Sequence, residues 1–472
     1  MSETKRLEQE NPLGTKPVGS LLLEFSVPAI LAVLVNAIYN VVDQIFIGQG
    51  VGYLGNAATT ITFPIITILM AFGTMLGSGG SAYAAIRLGE GKKEEAERAL
   101  NATFVLAVFF GILLAVLALL FLEPLLWFFG ATERSIGYAR DYASIILIGT
   151  PFSLIGPALS SLARTDGKPR LSMYGVLIGA VLNTILDPIY IFVFHWGVKG
   201  AALATITSQL ISAVVLAGYF FRYGKNMRLK ASCMKPDGKV YRFIFTLGLS
   251  SGITQGVSCV MQIVINNSLV YYGDQSTVGG DVALSAMGIV MKMALILVSV
   301  CIGISIGSQA LVGFNYGARK FDRIQQIYRM SVIASTLSVI VGWLVCQLAP
   351  EYVLQLFGGG DAQFMAFGVK SMRIFLGGVF CAGFQIISTQ YFQATGQPLK
   401  ASILSMLRQL LLLVPMILIL PLFFGLDGVL IAGPVADVGS AVIVALFMVP
   451  EWKKLKEAVE AQKAGKEVAL RI

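Results

Sequence analysis

The sequence predicts an all-α integral membrane protein with twelve spanning helices. Three observations carry that prediction. Of the 472 residues, 56% are hydrophobic and only 13% are charged, and the mean hydropathy is +0.77; a soluble domain carries about 25% charged residues. The apolar residues fall in stretches long enough to cross a hydrocarbon core of roughly 30 Å, which takes about 20 residues of helix. No polar stretch is long enough to form a separate domain, which excludes a single-pass anchor. A soluble enzyme is excluded because too few polar side chains exist to cover its surface.

Taken in order, the apolar stretches lie at 18–48, 56–86, 99–122, 138–163, 171–195, 200–221, 243–271, 282–312, 330–349, 368–394, 401–424 and 429–450. The first contains Pro28 and one acid near its start, Glu24, which can snorkel to the interface. The third is the cleanest, with no charge from Ala99 to Leu122. The fifth carries Asp187 followed at once by Pro188, and the sixth contributes Thr205. The seventh carries Gln255, Gln262, Asn266 and Asn267, and the eighth carries Lys292. The tenth is the weakest, opening with Lys370 and Arg373 before Gln385 and Gln390. Arg408 lies in the eleventh and Asp437 in the twelfth. Fifty glycines suit close helix packing in lipid.

Charge fixes the expected orientation. About 28 of the 35 lysines and arginines fall on the side that holds both termini, so the positive-inside rule places both termini in the cytoplasm. Lys292 and Arg408 remain within spans. This distribution accounts for the pI near 9.2 and removes the case for nucleic-acid binding. The first 17 residues are polar and lack the apolar core of a secretory signal. The five cysteines form no CxxC pair and read as small hydrophobes.

The basic stretch 222–242 divides the chain near its middle, and features before it recur about 228 residues later. TDGKPR at 165–170 is echoed by ATGQPLK at 394–400, LGEGKKEEA at 88–96 by YGARKFDRI at 316–324, and GVKGAALA at 197–204 by GLDGVLIAG at 425–433. Gly89 thereby aligns with Gly317. The predicted organisation is a first six-helix lobe (1–221), a cytoplasmic basic linker (222–242), a second six-helix lobe (243–450) and a cytoplasmic tail (451–472). Six spans per lobe make the repeats parallel and pseudo-symmetric about an axis along the membrane normal.

An acid at the bilayer centre costs about 2.5–3.5 kcal/mol on insertion scales, so intramembrane acids mark candidate sites. Three stand out: Asp43, Asp187 and Asp437. Asn36, Asn40 and Asp43 share one helix face, as do Asn183 and Asp187. With Thr205 these side chains offer oxygen donors that suit Na⁺, and equally a titrating carboxyl pair. The same groups could instead only hydrogen-bond the first, fifth and sixth helices together. The second lobe differs: its polar candidates for substrate contact or structural pairing are Gln255, Gln262, Lys292, Gln385, Arg408 and Asp437, the last able to offset Lys292 or Arg408.

NAIYNVVDQIFIGQG at 36–50, ARTDGKPR at 163–170, NTILDPIYIF at 183–192 and SIGSQALVGFNYGARKFDR at 305–323 together give the chain its resemblance to the multidrug and toxic compound extrusion (MATE) family, over nearly its whole length. The resemblance implies a V-shaped pair of six-helix lobes in a bacterial plasma membrane. It implies an antiporter, not an enzyme, that exchanges H⁺ or Na⁺ for amphipathic, cationic compounds. Its coupling site falls on Asp43, Asn183, Asp187 and Thr205, and Pro28 matches a proline at which the first helix bends. No cofactor beyond the coupling ion and no partner beyond the bilayer and small molecules is expected, and the monomer is expected to function. Two rival readings stand beside this one. A lipid-linked glycan flippase would want a cavity rich in cations. An intramembrane hydrolase would need GISIG at 303–307 on a strand-to-helix turn.

Overall fold

The computed structural model describes residues 12–51, 53–129, 131, 133, 135–230, 233, 236–356 and 362–463. Among the described residues it is built from helices and contains no strand. Twelve long helical segments follow the predicted stretches: α1 (Val18–Val51), α2 (Tyr53–Gly89), α3 (Lys93–Leu120), α4 (Ile136–Ile148 with Thr150–Thr165), α5 (Pro169–Val193), α6 (Gly197–Arg222), α7 (Gly238–Asp274), α8 (Gly280–Gly317), α9 (Phe321–Leu348), α10 (Ala362–Ala394), α11 (Pro398–Phe424) and α12 (Leu426–Lys463). Most overrun the apolar stretch that announced them. Hydropathy marks only what must sit in hydrocarbon, whereas a helix continues while its polar residues remain helix formers. The Trp452–Lys463 end of α12, rich in Lys, Glu and Ala, is the clearest case.

Large apolar side chains face outward, among them Leu113, Val116 and Leu120 on α3 and Leu337, Val341 and Leu344 on α9. Only 22% of the apolar window of α9 is buried within the protein. In water such a surface would drive aggregation; against lipid tails it is the solvent face.

The breaks in the helices have local causes. α4 bends by 50° at Gly149. Pro151 lies in the first turn after the bend, where a missing backbone N–H leaves no bond unmade. α5 runs through Pro188 and finishes as a wider π-helical turn, Ile189–Val193. α11 widens in the same way at Leu407–Leu413.

The first six helices meet the last six through α1 on α8, α2 on α7 and α2 on α8. Their closest crossings lie toward the ends that carry the basic loops. A Cβ on Gly89 would overlap the Phe314 carbonyl, and one on Gly317 would overlap the Ile86 carbonyl. The two glycines aligned by the sequence repeat therefore meet each other, as residues beside a two-fold axis do. Gly79 and Gly248 permit a similar approach of α2 to α7. A buried polar knot joins the halves nearby: Gln393 donates to Ser78 Oγ (2.8 Å) and to the Leu247 carbonyl (2.6 Å), and Gln309 donates to Ser78 Oγ (3.2 Å).

The lead-in to α1 is tied to the second half as well. Asn315, Lys320 and Arg323 donate to the carbonyls of Leu13 (3.2 Å), Gly14 (3.1 Å) and Lys16 (2.8 Å). The connection between the halves is pinned to the first half by Asp166. Its carboxylate accepts from the Tyr219 hydroxyl (2.6 Å) and from the backbone N–H groups of Lys225 (3.0 Å), Asn226 (2.7 Å) and Met227 (3.1 Å). Burial pushes this carboxyl above its ordinary range, and the four donors pull it back.

Candidate ion and substrate site in the first half

Three helices bring the predicted oxygen donors of the first half together. One turn of α5 separates Asn183 from Asp187, so the two project from one face. Asn183 Nδ2 donates to Asp187 Oδ1 at 3.3 Å and to Thr205 Oγ1 on α6 at 3.3 Å. The Asp43 carboxyl, from α1, lies within hydrogen-bonding reach of Asp187. Asp187 is fully buried and Asn183 is 3% exposed. Asp43 Oδ1, Asp187 Oδ2 and Asn183 Oδ1 are buried oxygens with no hydrogen-bond donor among the described residues. An unsatisfied buried acceptor costs about 1–3 kcal/mol, and two ionised carboxylates side by side repel. One proton shared between them, or one small cation held among the three oxygens, relieves both. The side chain of Asn40 lies outside the described residues.

Asn183 and Thr205 also line a cavity of about 330 Å³ enclosed mainly by α1, α2, α4, α5 and α6. Its wall is largely apolar, with Val33, Met70, Phe152 and Leu216 among the lining residues. Polar side chains interrupt it: Tyr39, Gln209 hydrogen-bonded by Ser153 (2.6 Å), and Arg164. Sequence reasoning missed these. Gln209 lies one turn beyond Thr205 on the same face of α6, a spacing that could have marked it. Arg164, which charge counting groups with the basic residues on the side of both termini, belongs to the last turn of α4 and lines the cavity.

Pro28 is buried in α1, which continues through it as one helix. On both sides of it α1 packs on α8: Ser26 and Phe25 against Gly307, and Ile30 against Gly303. Above it, α1 lies along α5 and carries Asp43. The proline thus stands within the part of α1 that packs on the second half, with Asp43 further along the same helix.

The candidates of the second half do not join this site. Arg408 Nε meets Asp437 Oδ1 at 2.5 Å, so Arg408 and not Lys292 offsets that acid. Gln385 donates to the Asp437 carbonyl (2.5 Å) and to Ser440 Oγ (2.6 Å), completing a buried cluster between α10, α11 and α12. Gln262 donates to Asn266 within α7 (3.0 Å), while Gln255 and Lys292 are exposed and stand apart. Gly303–Gly307 lies inside α8 with both glycines against α1, so the hydrolase elbow has no strand to sit on.

The profile of the MatE family matches residues 28–189 and 259–419. The chain belongs to the MatE family. Among its relatives, the multidrug export protein MepA of Staphylococcus haemolyticus is 28% identical over 432 residues, covering 91% of this chain and 92% of that protein. MepA of Staphylococcus aureus is 26% identical over 439 residues, covering 91% and 94%. These relatives are named as exporters, not enzymes. The fold agrees with solved structures. A MATE crystal structure in complex with MaL6 superposes with a TM-score of 0.87 at 21% identity, over 97% of this chain and all of that one. An outward-facing multidrug resistance MATE transporter superposes at 0.86 and 22% identity, over 97% and 99%.

Proposed function

We propose that this MatE protein is a cation-coupled antiporter that exports amphipathic, cationic compounds by alternating access, with H⁺ or Na⁺ as the coupling ion. One observation carries the reading: the carboxyls of Asp43 and Asp187 meet beside a drug-sized cavity, with oxygens that lack donors among the described residues. Asp43 rides on the helix that crosses between the halves. A cation arriving at the pair draws α1 toward α5 and α6, reshapes the cavity wall and displaces the compound held there. Pro28 gives the helix a place to flex, because proline removes one intrahelical bond. One charge moving through roughly 150 mV is worth about 3.5 kcal/mol, enough to sustain a gradient of about 300-fold.

The close crossings at the basic-loop ends support a state shut toward the cytoplasm and open outward. In this reading the two six-helix halves are the moving bodies, the protein acts as a monomer, and the membrane is the bacterial plasma membrane. A flippase for lipid-linked glycans fits less well. The cavity is at the small end of ligand sites and holds one guanidinium, where a pyrophosphate needs several cations.

The test is dye efflux from liposomes under an imposed pH or Na⁺ gradient. Asp43→Asn is expected to abolish gradient-driven efflux while leaving dye binding measurable. Full coupled efflux by that variant would remove Asp43 from the mechanism.

A further inference from the structure

A second cavity, of about 300 Å³, opens at the basic-loop end of the second half. Lys239, Arg242, Phe243 and Thr246 of α7 form one side; Gly396, in the turn before α11, and Pro398, at its start, form the other. The gap has a local cause. Gly396 closes the turn in a left-handed conformation (φ 74°), and neither it nor Pro398 carries a long side chain to fill the space. Among the described residues no carboxylate pairs with Lys239 or Arg242. Basic side chains on the neighbouring elements are treated differently. Arg87 on α2 meets Glu90 and Glu95, and Lys400, just past Pro398, meets Glu451. The acid nearest in sequence, Asp237, caps α7 instead: it accepts from the backbone N–H groups of Lys239 (3.0 Å) and Val240 (3.4 Å).

Lys239 and Arg242 lie one turn apart on one face of α7, so their charges repel, and an anion between them relieves both. The same face turns apolar as it enters the membrane. Lys239, Arg242, Thr246 and Leu249 follow one another at helical spacing, and Leu249 is exposed, as is Ile403 on α11. Arg242 and Leu249 are seven residues apart, about 10 Å at 1.5 Å per residue. A headgroup layer is about 5–7 Å thick, so cations at the level of the phosphates put Leu249 among the acyl chains. A free phosphate would use only the charges. A phospholipid uses the charges and the apolar strip together.

We infer that this cavity is the headgroup site of an anionic phospholipid from the leaflet at the basic-loop ends, with its phosphodiester on Lys239 and Arg242 and an acyl chain along Leu249 and Ile403. Basic pockets between membrane helices suit such headgroups. Arg242 offers a planar fork of donors and Lys239 a compact charge, and their hydrogen bonds to a phosphate are charge-assisted. The inference stands apart from the transport reading, since it needs only a chain set in a bilayer. The site adjoins the contact between the halves: Phe243 on its wall stacks on Tyr83 of α2, with ring centroids 5.3 Å apart.

The experiment is a native mass-spectrometry titration of the purified full-length chain in detergent. Its probes are dioleoyl phosphatidylglycerol and dioleoyl phosphatidylcholine, which share their chains and differ in net charge. The wild-type protein is expected to bind its first phosphatidylglycerol about tenfold more tightly than its first phosphatidylcholine. Lys239→Gln with Arg242→Gln is expected to lower that preference about tenfold, which is about 1.4 kcal/mol. Thr246→Trp keeps both charges and fills the cavity. It should lower the preference as well, and it serves as the second variant should the double one fail to fold. Lys453→Gln with Lys454→Gln removes two exposed cations from the end of α12 and should leave the preference within about twofold of wild type. An unchanged preference in either cavity variant overturns the inference, and so does an equal loss in the α12 control, which would mean that diffuse surface charge attracts the lipid. Displacement of the bound lipid by inorganic phosphate, or by glycerophosphoglycerol, the headgroup without its chains, also overturns it, because the site would then serve a soluble anion.

Discussion

Replacing Gly317 by alanine should loosen the packing of the two halves at the basic-loop end. The added Cβ would overlap the Ile86 carbonyl and come within 2.8 Å of its carbon and 3.0 Å of the Glu90 nitrogen. All three are backbone atoms, so no side chain can rotate away and the helices themselves must part. Overpacking of this kind costs about 1–3 kcal/mol. If the cost falls only on the state in which α2 and α8 touch, it shifts the conformational equilibrium away from that state by about 5- to 150-fold. Gly89→Ala should act alike, because it meets the Phe314 carbonyl across the same contact, and the double variant should cost less than the sum. Gly218→Ala on α6 is the control, since nothing lies within 4 Å of its Cβ. The assay is a pulsed electron-paramagnetic-resonance distance between labels at the exposed positions Glu94 and Asp322, with the five native cysteines replaced. Wild type should give a narrow short distance, and Gly317→Ala a longer or second one. A distribution in Gly317→Ala identical to that of wild type and Gly218→Ala would refute the claim that this crossing restrains the closed end.

Three other outcomes are expected. Asp437→Asn leaves Arg408 without its counter-ion at a site where the acid side chain is 4% exposed, and should lower stability by about 3–5 kcal/mol; Arg408→Met with Asp437→Leu should recover most of it in a thermal-unfolding assay. Asp166→Ala strands four donors and frees the connection between the halves, so limited trypsin digestion should cut faster at Lys225 and Arg228; an unchanged pattern would show that Asp166 does not hold that segment. Thr205→Val removes one of the two acceptors of the Asn183 amide, a loss of about 0.5–1.5 kcal/mol. It should weaken the apparent affinity for the coupling ion by about two- to tenfold in a transport titration, with maximal rate little changed.

Much of the fold was legible because lipid imposes a single strong rule on the chain: a spanning segment must be a long apolar helix. That rule located all twelve stretches. It was silent on polar helix ends, so α9 beginning at Phe321 and α12 running to Lys463 were cut short. The acid site was legible for a related reason, since Asp43 and Asp187 are conspicuous in oil and Asn183 shares a helical face with Asp187. Arg164 was not legible. A charge at the edge of an apolar stretch looks the same whether its side chain turns to the headgroups or into a cavity, and only tertiary packing separates the two. The partner of Asp437 was likewise left between Lys292 and Arg408, a choice that depends on how α8, α11 and α12 are placed around one another.

The two halves share a plan and part company in chemistry. The register that aligns Gly89 with Gly317 sets Pro415 opposite Asp187, so the second half has no carboxylate at the position that anchors the first-half site. Its buried acid sits instead on α12, and Arg408 already occupies it. A tethered guanidinium neutralises a carboxylate permanently, whereas a proton or Na⁺ neutralises it only until it leaves. In the proposed cycle the charge change occurs at Asp43 and Asp187, and the second half serves as the body against which the first one moves. α1 is the element placed to join these roles: its start is fastened to α8 and to the residues around Asn315, and its far end carries Asp43. A single ion bound in one half can bias the contact between both because one helix belongs to each.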